Sequence, residues 1–209
     1  MAASPLFLFD RERRVEYPAI AGIDEAGRGP LAGPLVAAAV SFPPHLDLDG
    51  VRDSKTLSLE RREELYLKIA DRALCFATGI VDPEDIDGMG MAEAVRLSFV
   101  RASSSLASLT DMFIIDGLPV MGLGIPAEFV VRGDSRSLSV AAAGIVAKVT
   151  RDRIMMEADS IYPGYGFRTN MGYGTREHME ALARLGPCAI HRRSFSPLRR
   201  DGQLRLPFE

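Results

Sequence analysis

Three short apolar runs in this chain halt on carboxylates, and that recurrence limits the folds available to it. Ala19 to Ile23 alternates small and β-branched residues and stops at Asp24-Glu25; Met112 to Ile115 stops at Asp116-Gly117; Phe129 to Arg132 stops at Gly133-Asp134. Runs of this length and composition read as buried strands. Leu35 to Phe42, ended by Pro43-Pro44, and Leu74 to Val81 add two more. Between them lie helical patterns: Glu60 to Arg72 behind a Ser58 cap, Met91 to Leu109 with a Ser-rich face, and an Ala-rich stretch from Ser137 to Asp159 suited to packing closely on a sheet. Strands interleaved with helices predict an α/β fold with a mixed five-stranded sheet flanked by helices, not a sandwich or a bundle. The loop from Tyr162 to Thr175 and a short helix from Arg176 to Leu185 predict a small helical C-terminal part.

In α/β sheets, ligands bind in the crevice outside the carboxyl ends of the strands. If the three halting strands are neighbours, Asp24, Glu25, Asp116 and Asp134 crowd one end of the sheet, and such a concentration of like charge requires a cation. Oxygen donors without His or Cys suit Mg²⁺ or Mn²⁺, and two such ions in a carboxylate cluster catalyse in-line phosphoryl displacement. One conflict is visible beforehand. Successive strand residues face opposite sides, so Asp24 and Glu25 share a site only if the strand ends there. Glu25 is therefore the weaker of the two as a ligand.

The glycine-rich loop Gly27-Arg28-Gly29 follows directly. Its glycines let the backbone approach a ligand closely, and its arginine offers donors to phosphate or sugar oxygens.

Charge supports a polyanionic partner only when the chain is divided. The net charge is −3, but residues 132–209 carry 13 Lys and Arg against 8 Asp and Glu, while residues 1–131 carry 12 against 20. The acidic part holds Asp24-Glu25, and the basic part ends in His191-Arg192-Arg193 and Arg199-Arg200. This suits an enzyme that gathers cations at one place and grips a nucleic acid at another. A content of 47% hydrophobic and 25% charged residues is that of an ordinary globular protein. The apolar stretch Pro5 to Phe9 is too short for a secretory signal, and no run reaches the roughly 18 residues of a membrane span, so a cytoplasmic protein is expected.

Other readings lack anchors. Cys75 and Cys188 form no CxxC and read as small buried or half-buried side chains. His178 and His191 suggest packing or phosphate contact before metal. Gly122-x-Gly124-x-x-Ala127 has dinucleotide-loop spacing, but Pro126 stands where a helix would open, and Arg132-Gly133-Asp134 has no use for its adhesion-like sequence in a cytosolic chain. No GxSxG or Walker A sequence occurs.

The stretches "GIDEAGRGPLAGPLVAAAV" (22–40), "DSKTLS" (53–58), "IIDG" (114–117), "GDSRSLSVAAAGIVAKVTRDRIM" (133–155), "YPGYGF" (162–167), "GYGTREHMEAL" (172–182) and "HRRSFSP" (191–197) together resemble the successive motifs of bacterial ribonuclease HII. The resemblance covers about residues 19–200. It implies an RNase H-like fold, a catalytic domain over 1–185 with a basic tail over 186–209, and a monomer. It implies a metal-dependent endonuclease that cuts the RNA strand of RNA–DNA hybrids. It further implies incision on the 5′ side of a single ribonucleotide in duplex DNA, leaving 3′-hydroxyl and 5′-phosphate ends. The implied metal ligands are Asp24, Glu25, Asp116 and Asp134, with two Mg²⁺ or Mn²⁺ ions. Gly27, Arg28 and Gly29 would sense the 2′-hydroxyl, which is what distinguishes RNA from DNA at a site. Tyr173 would stack on the following sugar, and Ser54 and Lys55 would contact the backbone.

Arg132 stands where the family usually has Lys, Asn170-Met171 where many members have His-Lys, and Gly144 where Ser is common. The end of the chain, QLRLPF (203–208), resembles the Gln-x-x-Leu-x-Phe-like peptides that bind bacterial sliding clamps.

Overall fold

A computed structural model describes residues 3–198; the clamp-like peptide 203–208 and Arg199-Arg200 lie outside the described residues. Five strands, β1 (Ile20–Ala26), β2 (Leu35–Ser41), β3 (Cys75–Val81), β4 (Met112–Asp116) and β5 (Ala127–Val130), form one sheet in the order β3-β2-β1-β4-β5. The pairings of β1 with β2 and β2 with β3 are antiparallel, and those of β1 with β4 and β4 with β5 are parallel, so the sheet is mixed as its sequence predicts.

Among the described residues seven helices accompany it: α1 (Pro5–Arg13), α2 (Leu59–Arg72), α3 (Pro83–Met89), α4 (Met91–Ser103), α5 (Leu138–Ile161), α6 (Phe167–Asn170) and α7 (Arg176–Leu185). α5 covers one face. Its Ala141-Ala142-Ala143 run and Val146 pack with Val36, Ala38 and Val40 of β2, because small side chains let a helix lie close to a sheet. α4 covers the other face, where Val95 and Phe99 meet Ala21, Ile23, Ala37, Ala39, Phe113 and Ile115. β1 and β2 are thus apolar on both faces, the pattern of a central strand buried on both sides. Caps mark the helix starts: Ser58 Oγ accepts from Arg61 N, Ser137 Oγ from Val140 N, and Thr175 from His178 N. Among the described residues no helix is long and apolar enough to cross a membrane.

Three helices are absent from the sequence reading, among them α6, which lies in the stretch read as a loop. α1 is capped by Ser4 with Pro5 at its first position, and α3 separates from α4 at Gly90. α1 is fastened by the buried Asp10, whose carboxylate accepts from Ser137 Oγ at 2.6 Å and from Ser139 N at 2.9 Å. A further departure matters for the site. β1 does not stop at Asp24: it runs on to Ala26, with Asp24 opposite Ala38 and Glu25 opposite Ala37.

Candidate active site

The parallel register of β1 and β4 brings the first two carboxylates together. Ile23 lies opposite Ile115, so the next residues, Asp24 and Asp116, stand side by side at the carboxyl ends of neighbouring strands. Both fall on the α5 face, as do Gly22 and Ile114 before them. Asp134 arrives from the turn Gly133–Ser135 after β5, which Asp116 itself ties down by accepting from Gly133 N at 2.6 Å. Arg132 enters that turn with φ 57°, a left-handed backbone uncommon for a residue with a side chain, and so the strand ends two residues earlier than its sequence predicts. Asp24, Asp116 and Asp134 each offer a carboxylate oxygen, and these lie within 4.8 Å of one another.

Glu25 is not in this trio. Because β1 continues, the alternation holds and Glu25 faces the α4 side, where it lines a cavity of about 630 Å³ with Val95, Arg96, Phe99 and the edge of Asp116. The exposed Arg28 pairs with it at 3.2 Å. The expectation that the strand ends at Asp24 so that both acids share one site is therefore corrected. Glu25 still acts on the cluster through its charge, which is the strongest of the neighbouring charges on Asp24.

Burial pushes the Asp24 carboxyl well up, and the charges of Glu25, Asp116 and Asp134 push it further. Burial raises Asp134, reinforced by Asp116 and Asp53, and raises Glu25 despite the opposing charge of Arg28. On Lys55, burial works against the charged form, but Asp24, Asp53, Asp134 and Asp116 outweigh it and raise the ammonium, which places this cation at the rim of the cluster. Its neighbour Ser54 is buried in the short turn Ser54–Thr56. Converging hard oxygens that repel one another when ionised are a donor set for a divalent cation.

The structure also brings together the residues to which the resemblance assigns recognition. A Cβ on Gly29 would lie 4.0 Å from Tyr173 Cε1, so the half-exposed Tyr173 ring stands against the glycine loop. Asn170 and Met171 point inward: Asn170 bonds Tyr165 O and Gly172 N, and Met171 O accepts from Arg151 at 3.0 Å. This pair holds the turn ahead of Tyr173. Gly144 faces Asp24, and a Cβ there would overlap Asp24 Oδ2.

Sequence reasoning missed Arg151 and Arg192, both almost completely buried, which donate to the carbonyls of the loop over residues 27–34. Their signal was present only indirectly, as a glycine- and proline-rich loop. His178 and His191 are packed, not phosphate-facing, with Nε2 atoms 3.0 Å apart. His191 does have a cysteine close by, since Cys188 Sγ lies 3.1 Å from its Nδ1.

Burial, with the neighbouring His178, lowers His191 to about 4. A histidine held neutral in the fold but free to protonate when unfolded stabilises fully above about pH 6.5 and loses that contribution as pH falls toward 4. Between pH 7 and pH 4, wild type is expected to lose about 3 kcal/mol more unfolding free energy than His191→Gln in urea titrations. Equal losses would show that the ring is not held neutral.

Comparison with known proteins supplies the family. The family model described as ribonuclease HII matches residues 21–197. The ribonuclease HII of Syntrophotalea carbinolica is 47% identical over 196 residues, covering 94% of both chains. Among solved structures, the ribonuclease H2 of Pyrococcus horikoshii superposes with a TM-score of 0.72 at 27% identity, covering 87% of this chain and 95% of that one. The ribonuclease HII of Archaeoglobus fulgidus, solved in complex with PCNA, superposes with a TM-score of 0.71 at 27% identity, covering 90% and 96%. The chain, with an RNase H fold and its carboxylates gathered at the ends of β1 and β4, belongs to the ribonuclease HII family and is an endoribonuclease of the ribonuclease H class.

Proposed function

We propose that this ribonuclease H incises duplex DNA on the 5′ side of a single embedded ribonucleotide, as well as cutting the RNA strand of RNA–DNA hybrids, and leaves 3′-hydroxyl and 5′-phosphate ends. One observation carries the reading: the Asp24–Asp116–Asp134 cluster lies beside a Gly-Arg-Gly loop in contact range of an exposed tyrosine. A hydrolase for continuous hybrids needs the acids alone; one that licenses a cut by a single sugar needs a sensor next to them.

Asp24, Asp116 and Asp134 would hold two Mg²⁺ or Mn²⁺ ions, with Glu25 contributing from the opposite side of β1. Bound there, the ions would supply an activated water and charge stabilisation for the leaving oxygen. The chain's own residues do the selecting. Gly27, Arg28 and Gly29 address the 2′-hydroxyl, Tyr173 stacks on the following deoxyribose, and Lys55 with Ser54 meets the phosphate backbone. Ribonucleotide repair in the cytoplasm is the setting this activity fits. The complex of the Archaeoglobus relative with PCNA supports a clamp partner for the peptide 203–208.

The test is cleavage of a DNA duplex with one ribonucleotide, in Mg²⁺ and separately in Mn²⁺, against EDTA and Asp134→Ala. Incision 5′ of the ribonucleotide is expected, falling at least about 10³-fold in both controls, since several kcal/mol of metal-borne stabilisation are removed. Full activity in Asp134→Ala would remove that residue from the site. Cleavage of continuous hybrid alone would overturn the roles of Arg28 and Tyr173.

A further inference from the structure

Two consecutive buried residues, His191 and Arg192, reach the two recognition elements from behind. Arg192 is 0% exposed and forms no ion pair among the described residues. Its guanidinium instead donates to Gly27 O at 2.6 Å, Arg28 O at 3.1 Å and Gly33 O at 2.8 and 2.9 Å. Arg151 supports the same loop through Ala32 O and Pro34 O, each at 3.0 Å. A buried cation satisfied by carbonyls alone fixes those carbonyls strongly, because charge-assisted hydrogen bonds are about twice as strong as neutral ones.

The geometry has a consequence on the substrate side. In a trans peptide the C=O and the following N–H point in opposite directions. With Gly27 O and Arg28 O turned onto Arg192, the N–H groups of Arg28 and Gly29 point away from it, and neither donates a backbone hydrogen bond among the described residues. Arg192 thus presents an outward edge of free donors beside the carboxylate cluster.

His191 does the corresponding work for Tyr173. Cys188 N donates to His191 Nδ1 at 3.0 Å, which leaves the His191 proton on Nε2. That proton is given to His178 Nε2 at 3.0 Å, and His178 Nδ1–H donates to Tyr173 O at 2.8 Å. Both rings are neutral in this chain of donors, in keeping with the lowering of each by burial. The main chain at this point is itself stitched to the loop, with Arg192 N donating to Leu31 O at 2.8 Å and Gly33 N to Ile190 O at 2.9 Å.

We propose that Arg192 and His191 are positioning residues for ribonucleotide-junction recognition: Arg192 sets the donor edge of Gly27-Arg28-Gly29, and His191, acting through His178, sets Tyr173. The two sensors are thereby held in register from one dipeptide. The inference rests on the junction-reading function proposed above.

The experiment compares kcat/KM on a duplex with one ribonucleotide and on a continuous RNA–DNA hybrid of the same sequence, for Arg192→Lys, Arg28→Ala, the double variant, and His178→Leu. Lysine keeps the charge but loses the planar fork that spans three carbonyls. Arg192→Lys is expected to lose roughly tenfold or more on the junction substrate, mostly in kcat, with less than about threefold on the hybrid, as for a misplaced donor that acts in the transition state. In the double variant the junction-to-hybrid ratio is expected to fall below that of Arg28→Ala alone, because Arg28→Ala removes a side chain and leaves in place the backbone N–H edge that Arg192 sets. Equal losses on both substrates, or a double variant no worse than Arg28→Ala, would reduce Arg192 to a support of the fold and overturn its role.

His178→Leu removes one of the two donors to Tyr173 O, leaving Thr175 N, without touching a buried charge, so it tests the second arm even if Arg192→Lys melts. A ratio lowered by about fivefold is expected from the loss of one positioning hydrogen bond; an unchanged ratio overturns the link to Tyr173. If wild type and Arg28→Ala show the same ratio, the junction reading itself fails and takes this inference with it, an outcome separable from an Arg28→Ala effect without an Arg192→Lys effect.

Discussion

Asp24→Asn is expected to lose at least about 10³-fold in turnover and yet to be the more stable protein in EDTA at pH 8, by about 1–2 kcal/mol. Both halves follow from where Asp24 sits. It is the most buried of the three clustered acids, with Asp116 and Asp134 near enough to share a cation, and burial is the largest reason its carboxyl is raised, followed by Glu25 and Asp116. A carboxyl raised in the fold gives up its proton more readily when the chain unfolds. Its stabilising contribution is complete below the unfolded value near 3.8 and is lost as pH rises through the folded value. The loss begins as pH rises above 3.8, and an uncharged asparagine does not suffer it. The Asn side chain keeps the shape and the Oδ1 that accepts from Glu25 N at 2.7 Å, so little else changes. Melting in EDTA and in Mg²⁺ separates the two effects. Wild type gains stability on adding metal, since a ligand that binds only the folded state stabilises by mass action, and Asp24→Asn gains much less. Undiminished turnover would take Asp24 out of the site. A variant less stable than wild type in EDTA would show that the ionised cluster is not under strain.

The cluster was legible in the sequence because each of its acids ends an apolar run, and apolar runs betray buried strands. The same logic predicted the mixed sheet and placed α2 and α5 by their caps and composition. It failed where a contact distant in sequence decides the local outcome. α1 exists because Asp10 reaches Ser137 and Ser139 on the far side of the chain, and nothing within Pro5–Arg13 announces that. β1 extends past Asp24 because β2 offers it Ala38, Ala37 and Val36 to pair with, so the strand-facing rule that cast doubt on Glu25 applied with its full force. Arg192 was the hardest to see. In sequence a buried arginine looks like a surface one, and only the folded loop supplies the carbonyls that make its burial tolerable.

Gly22→Ala is expected to cost about 3–5 kcal/mol, a large part of the stability of an ordinary domain, through one methyl group. Gly22 has no left-handed backbone, so conformational strain is not the cause. The cause is proximity. A Cβ on Gly22 would overlap Ser139 C, Ser139 O and Val140 N, which are main-chain atoms in the first turn of α5. They cannot rotate aside, because that turn is fixed by the Ser137 cap and by Asp10 on Ser139 N. Relief requires α5 to lift from the sheet, and α5 is also what Asp24 rests against at Gly144. Gly144→Ala makes the useful contrast. There the added Cβ meets the end of the Asp24 side chain, which can swing, so the cost should appear less in stability than in metal binding and turnover. Gly88→Ala is the control, since a Cβ there meets nothing within 4 Å and a helical Gly→Ala change is neutral or stabilising by up to about 1 kcal/mol. Urea unfolding of the three variants ranks them directly. If Gly22→Ala unfolded with Gly88→Ala, β1 and α5 would have room between them, and the close packing that holds Asp24 at its station would not be what organises the site.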